Sequence, residues 1–63
     1  MDNNNHKCKY CVTIHDFEFN VFHAFVVNAI SYDNAAEIAK RKMDEKIFPF
    51  DIEYEIVGIV IAN

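Results

Sequence analysis

A single junction near the middle of the chain constrains the fold more than any other feature. Residues 25–31 read Phe-Val-Val-Asn-Ala-Ile-Ser, an apolar run typical of a strand that ends in a good helix N-cap. After Ser31, apolar residues recur at helical spacing and form one stripe: Tyr32, Ala35, Ala36, Ala39, Met43 and Ile47. Pro49 disfavours helix at Phe48. The junction therefore predicts a strand followed by one amphipathic helix that ends by Phe48, with Ile38 on its exposed side.

A second strand signal precedes this junction. From Cys8 the sequence alternates, with Tyr10, Val12 and Ile14 on the same face as Cys8. Lys9, Cys11 and Thr13 form the other face. The turn that follows has two possible positions, at residues 15–16 or nearer to residues 18–20, and the pattern does not choose between them.

Residues 51–62 predict a third strand. Its regular alternation places Ile52, Tyr54, Ile56, Gly58, Val60 and Ala62 on one face. The other face carries Asp51, Glu53, Glu55, Val57, Ile59 and Ile61. Gly58 would permit close approach of the helix alanines, or it would mark a bulge.

The element order predicts an α+β fold of the β-β-α-β type. A right-handed crossover makes the second and third strands parallel, and the first strand then lies between them, antiparallel to both. We expect a three-stranded, mainly antiparallel sheet with one helix on one face. Residues 7–63 would form a single domain after a disordered, Asn-rich tail at residues 1–6.

Composition narrows the possible functions. The 63 residues carry a net charge of −4 and a pI of about 5.1, which argues against direct binding of nucleic acid. No apolar run resembles a signal peptide or a membrane span, so we expect a cytoplasmic protein without a membrane partner. Apolar residues make up 52% of this short chain, more than one small core needs. Part of this apolar surface should therefore be covered by another chain.

The sheet face without a helix is the expected contact between copies. Regular alternation assigns it these residues: Cys11, Thr13, Phe22, Val26, Ile30, Val57, Ile59 and Ile61. We predict a homo-oligomer, most simply a symmetric dimer, that buries Val26, Ile30, Val57, Ile59 and Ile61. It would pair sheet against sheet or through an edge strand. The alternative is a monomer whose tail or hairpin folds over this face.

The predicted topology also gathers aromatic and acidic residues at one end of the domain. The hairpin tip and the segment after the helix should meet there. We assign Phe19 and Phe50 to the end of the core. The candidates for contact with a partner protein are Phe17, Phe22, Phe48, Asp51, Glu53 and Glu55, because aromatic anchors ringed by charge are typical of protein interfaces. The alternative is that these phenylalanines also pack in the core.

The most distinctive local motif, Cys8-x-x-Cys11, is a candidate for metal binding. With His6 or His15 it has a spacing that zinc ligands permit. However, two cysteines three apart in a strand point to opposite faces, so we expect ordinary strand cysteines and no metal or cofactor. His23 interrupts an apolar face and reads as a satisfied or strand-edge histidine. No phosphate loop or catalytic triad is evident, and we do not expect an enzyme.

The segments Phe25–Ser31, Ala35–Lys40 and Tyr54–Val57 resemble a pattern of small phage-encoded proteins, in which a strand leads into an Ala-rich helix and a closing strand. Compact anti-CRISPR and other anti-defence proteins are similar in size, acidity and build. The resemblance implies a non-enzymatic inhibitor that docks onto a host protein in the host cytoplasm and blocks it sterically. The alternatives are a zinc-binding module that uses Cys8 and Cys11, or a nucleotide sponge at a dimer cleft.

Overall fold

The computed structural model describes residues 6–62 and has the predicted α+β architecture. Strand β1 spans Cys8–Asp16, strand β2 spans Val21–Ala29, helix α1 spans Tyr32–Ile47 and strand β3 spans Tyr54–Ile61. The element order confirms the β-β-α-β prediction. Residues 1–5, in which most of the predicted tail falls, lie outside the described residues, as does residue 63.

One sheet contains all three strands in the order β2-β1-β3. β1 is central and antiparallel to both neighbours, as predicted. Its register with β2 is regular along its whole length, from Cys8 opposite Ala29 to Asp16 opposite Val21. β2 and β3 are therefore the two edge strands.

The hairpin turn occupies residues 17–20, the later of the two predicted positions. Asn20 closes it with a φ of 55°, in the left-handed region that asparagine tolerates better than most residues. Asp16 ends β1 and is almost fully buried. Its carboxylate Oδ1 accepts hydrogen bonds from the backbone N–H groups of Glu18 at 2.8 Å and Phe19 at 3.1 Å. The buried carboxylate thus fixes the turn from below.

Ser31 is the N-cap of the helix, as predicted, and Asn34 adds a second hydrogen bond in the opposite direction. Ser31 is extended, and its Oγ accepts a hydrogen bond from the backbone N–H of Asn34 at 3.0 Å. The Asn34 side chain in turn accepts from the backbone N–H of Ile30 at 3.1 Å. Two backbone donors at the start of the helix are satisfied in this way, in the manner of a capping box. At the other end the helix stops before the Phe48–Pro49 bond, which is cis.

The core lies between the helix and one face of the sheet. Its buried residues are Tyr10, Val12, Ile14, Val27, Ala29, Ala35, Ala39 and Met43. Small alanines on the helix stripe face the larger side chains of the strands, and Met43 is the largest helix residue that is fully buried. Ile38, which we expected on the exposed side, is only partly exposed and packs against this core. The apolar helix surface is therefore wider than the predicted stripe.

A β-bulge in β3 overturns the predicted faces of that strand. The pairing partners of Thr13 and Ile14 are Gly58 and Ile56, so Val57 is an extra residue with no partner on β1. Gly58 is exposed, and a Cβ atom added to it would meet nothing within 4 Å. The prediction of a close helix approach at Gly58 is wrong, and the bulge alternative is correct.

The bulge reverses the alternation for the second half of β3. Ile59 lies opposite Val12 and Ile61 lies opposite Tyr10, so both share the helix-covered face. Val60 pairs with Cys11 and belongs to the bare face instead. The prediction that Ile59 and Ile61 lie on the uncovered face is therefore wrong, because one additional residue shifts a pattern whose period is two.

Candidate functional site

The hairpin turn and the segment after the helix meet at one end of the domain and enclose a cleft of about 580 Å³. We call this the hairpin-end cleft. It is lined by Asp16, Glu18, Phe19, Val21, His23, Lys46, Ile47, Phe48, Phe50, Asp51 and Ile52. Its volume lies in the range of small-ligand and side-chain pockets. The topology thus unites segments that lie about thirty residues apart in sequence.

The floor of the cleft is a carboxylate with a lowered pKa. Burial acts to raise the pKa of Asp16, but hydrogen bonds from the N–H groups of Phe19 and Glu18, together with the adjacent His23, lower it overall. The Oδ2 atom of Asp16 lies 3.5 Å from Nε2 of His23. Asp16 therefore remains ionised, and the turn above it stays in place at neutral pH.

His23 connects this carboxylate to the helix. The Lys46 ammonium donates to Nδ1 of His23 at 2.9 Å, and the buried Nε2 lies near Asp16 without a hydrogen-bond partner among the described residues. The same Nζ lies 5.7 Å from the centre of the Phe25 ring. Both ring nitrogens of His23 face protein groups, and the cleft lining contains no hydroxyl or thiol. This chain of contacts holds the hairpin against the helix and forms the floor of the cleft.

The phenylalanines are the main feature of this end of the domain. Five of the six expose about half or more of their surface: Phe17, Phe19, Phe22, Phe48 and Phe50. Phe19 and Phe50, which we assigned to the core, are 67% and 71% exposed, so that assignment is wrong. Asp16 occupies the buried position at the end of β1, and the phenylalanines beside it line an open cleft instead.

The six predicted contact residues fall into three groups. Phe48 and Asp51 line the hairpin-end cleft. Phe17, Glu53 and Glu55 line a shallower depression of about 450 Å³ on the neighbouring surface, which Asp51 also borders. Asp51 thus joins the two depressions into one continuous acidic surface.

Phe22, the sixth predicted contact residue, lies on the bare face of the sheet. Its ring stacks on His15 with centroids 4.8 Å apart, and the Phe17 ring meets the same imidazole edge-on, also with centroids 4.8 Å apart. His15 Nε2 lies 2.8 Å from Oδ1 of Asn20, which only accepts hydrogen bonds, so Nε2 donates. This aromatic row continues the exposed apolar surface around the end of the domain.

The charge around the hairpin-end cleft is mostly negative. Among the described residues that line it, Lys46 is the only lysine or arginine, and its ammonium is hydrogen-bonded to His23. Glu18 and Asp51 are exposed at the rim without a cation in the lining that opposes them. The second depression adds two glutamates and no cation. The end therefore combines aromatic walls with an acidic rim.

Sequence reasoning missed the contact between His23 and Lys46. The two residues are twenty-three positions apart, and neither carries a local signal that names the other. The only hint was that His23 interrupts an apolar face, because a polar residue at such a position needs a partner.

The residues predicted for the oligomer interface do not form one patch. Val26 lies on the bare face of β2, and Ile30 follows the end of that strand. Val57 is the bulge residue, while Ile59 and Ile61 lie on the helix side of β3. The bulge has separated them, and β3 emerges as an exposed element with surfaces on both sides.

The candidate metal ligands do not converge. Cys8 shares the face of Tyr10 and packs against the core, whereas Cys11 and His15 share the opposite face. His6 precedes β1 and is exposed. Both cysteines are free thiols. In the part of the chain that the structure describes, no group of three or more His, Cys, Asp or Glu residues is placed to hold a metal ion.

Comparison of the chain with protein-family models, with curated proteins and with solved structures found no match. Between residues 6 and 62, no helix has the length and apolar character needed to cross a membrane.

Proposed function

We propose that this protein is a non-enzymatic binding module that docks onto a partner protein through its hairpin end. The observation that carries the proposal is the exposure of five phenylalanines on one small domain, most of them around a preformed cleft. Burial of a phenylalanine side chain is worth about 1.5–3 kcal/mol, so a fold that leaves several in water forgoes much of its available stability. Exposed aromatic residues at this density are typical of binding surfaces.

The chemistry of the cleft defines the kind of partner segment that fits it. Phe19, Phe48 and Phe50 offer apolar walls for one large side chain. Glu18 and Asp51 at the rim favour a cation beside that side chain. We therefore propose that the partner presents a large apolar residue next to lysine or arginine.

Support for a preformed site comes from the floor of the cleft. Asp16, His23 and Lys46 hold the turn and the helix end together, so little ordering is needed when a partner binds. The mechanism would be steric occlusion of the partner surface. An inhibitor of the anti-defence type, directed at a host protein, is the concrete form of this proposal.

A random peptide library tests the proposal before the partner protein itself is identified. Peptides of about twelve residues, displayed and selected on the full-length protein, should converge on an aromatic or aliphatic residue adjacent to Lys or Arg. Selected peptides are then synthesised and titrated by isothermal calorimetry. We expect Phe48→Ala to weaken binding at least about tenfold, as for an interface hot spot. Asp51→Lys should weaken it further by repelling the cation.

Val26→Lys is the matched control, because it adds a charge at an exposed position on the bare face, away from the cleft. Its peptide affinity should equal that of the wild type. Chemical-shift mapping should place the peptide against the residues of the cleft. Selection without convergence, or peptides that bind Phe48→Ala as tightly as the wild type, would refute the proposal.

A further inference from the structure

The least buried of the three strands, β3, is strongly apolar. Six of the eight residues of β3 are Tyr, Ile or Val, yet none of the eight is buried. Helix α1 packs mainly against β2, so the helix side of β3 is only partly covered. Ile61 remains 49% exposed although it lies on the same sheet face as the core. β3 is therefore partly exposed on its helix side and open on its bare side and, as far as residues 6–62 are concerned, along its outer edge.

No strand within residues 6–62 pairs with the outer edge of β3, which presents backbone groups there. Ala62 N–H donates to the Lys9 carbonyl at 2.8 Å, so the backbone of Ala62 points toward β1. Because N–H and C=O groups alternate sides along an antiparallel strand, those of Ile59 and Ile61 point away from the sheet. Natural edge strands are usually protected by lysine, proline or short length. β3 has eight residues and contains neither lysine nor proline; its bulge lies at Val57, before the apolar end.

The distribution of charge indicates what pairs with this edge. Residues 56–62 carry no charge, and the two nearest acidic residues, Glu53 and Glu55, lie just before them. A second copy in parallel orientation would bring these glutamates together and would be repelled. An antiparallel copy places them at opposite ends of the paired region, roughly 30 Å apart at about 3.4 Å per residue. An uncharged strand with acidic residues at only one end therefore favours antiparallel pairing with a second copy.

We propose that two copies of this protein pair through β3 about a twofold axis and form one continuous six-stranded sheet. Six strands is a common sheet size, whereas three is small. The pairing would satisfy the free backbone groups of Ile59 and Ile61 and would shield Val60 and Ile61 from water. The paired region, residues 56–62, is only about 24 Å long. It therefore buries less than the roughly 1,200 Å² of most specific interfaces, and the dimer should dissociate on dilution. The inference is independent of peptide binding at the hairpin end.

Sedimentation equilibrium over about 5–500 μM full-length protein tests the pairing, since such a range brackets a weak dimer. The wild type should shift from monomer to dimer across this range. Ile61→Pro removes one outward N–H donor without touching the bonds between β1 and β3, and it should weaken association at least tenfold. Ile61→Lys, which adds the usual edge charge, should do the same. Circular dichroism establishes that each variant is folded; if Ile61→Pro unfolds, Ile61→Lys decides.

Val26→Lys is the control that separates edge pairing from packing of one bare sheet face on another. It should leave the dissociation constant within about threefold of the wild type, because Val26 lies on the other edge strand. A wild type that stays monomeric at the highest concentration would overturn the proposal. So would a dimer that Val26→Lys disrupts and Ile61→Lys leaves intact. Either result leaves the peptide-binding experiment unaffected.

Discussion

The reversal of faces in β3 makes a quantitative prediction about two adjacent residues. Regular alternation would bury Val60 and expose Ile59, whereas the bulged strand packs Ile59 against the core and leaves Val60 61% exposed. Truncation of a fully buried isoleucine to alanine costs about 2–5 kcal/mol. Ile59 is only partly buried, so we expect Ile59→Ala to lower the free energy of unfolding by about 1–2 kcal/mol. Val60→Ala should change it by less than about 0.5 kcal/mol.

Urea unfolding monitored by circular dichroism measures both changes. A domain of this size should have a total stability of about 3–9 kcal/mol and an m-value near 1 kcal/mol/M. Ile59→Ala should therefore lower the unfolding midpoint by about 1–2 M, and Val60→Ala by no more than about 0.5 M. Low protein concentration keeps self-association out of the measurement. Equal shifts for the two variants, or a larger shift for Val60→Ala, would refute the bulge and the reasoning built on it.

Three further predictions concern groups outside β3. The pKa of Asp16 is lowered in the folded state from an ordinary value of 3.8. Ionised Asp16 therefore stabilises the fold above that value, and this stabilisation is lost as pH falls through the folded-state pKa. Urea unfolding from about pH 6 to about pH 2 should show a steeper loss of unfolding free energy for the wild type than for Asp16→Asn. The pKa of Tyr54 is raised to about 12, first by burial and then by a 2.6 Å hydrogen bond to Asp44 and the charge of that carboxylate. An NMR titration of the tyrosine ring should show a lower pKa in Asp44→Asn, but one still above 10 because the ring remains buried. Ser31→Ala and Asn34→Ala should each lower the free energy of unfolding by about 1 kcal/mol, and a double-mutant cycle should show that their effects are not additive, because the two side chains cap one junction.

Local signals in the sequence were sufficient for the element order and for the strand-to-helix junction. Ser31 is a cap residue before an apolar stripe, and a helix that starts there needs no information from distant parts of the chain. Alternation in β1 was equally informative because the central strand has a regular register with β2 throughout. The meeting of the hairpin with the segment after the helix followed from topology alone. All of these features depend on residues close in sequence or on the handedness of a crossover.

The features that sequence could not predict depend on single insertions or on distant partners. Val57 looks like any other strand residue, and only its lack of a partner on β1 makes it a bulge. Hydrophobicity and topology predict Phe19 and Phe50 inside the core, but Asp16 takes the buried position at the end of β1 and both phenylalanines line the open cleft. Helix α1 lies toward β2, so Ile38 contributes to the core and β3 stays open. No local sequence pattern specifies over which strand of the sheet the helix lies.

The hydrogen bonds of Asp16 have a consequence for how this protein can change over time. The carboxylate supports the turn through backbone N–H groups, so it specifies the path of the chain and not the identity of the side chains at residues 17–19. Those side chains, like Phe48 and Phe50 across the cleft, lie outside the core. Substitutions there should therefore cost little stability, and under the proposed docking function they would change which partner segment is preferred. Under that proposal, the positions that contact a partner and the positions that build the fold are separate sets, and Asp16 belongs to the second.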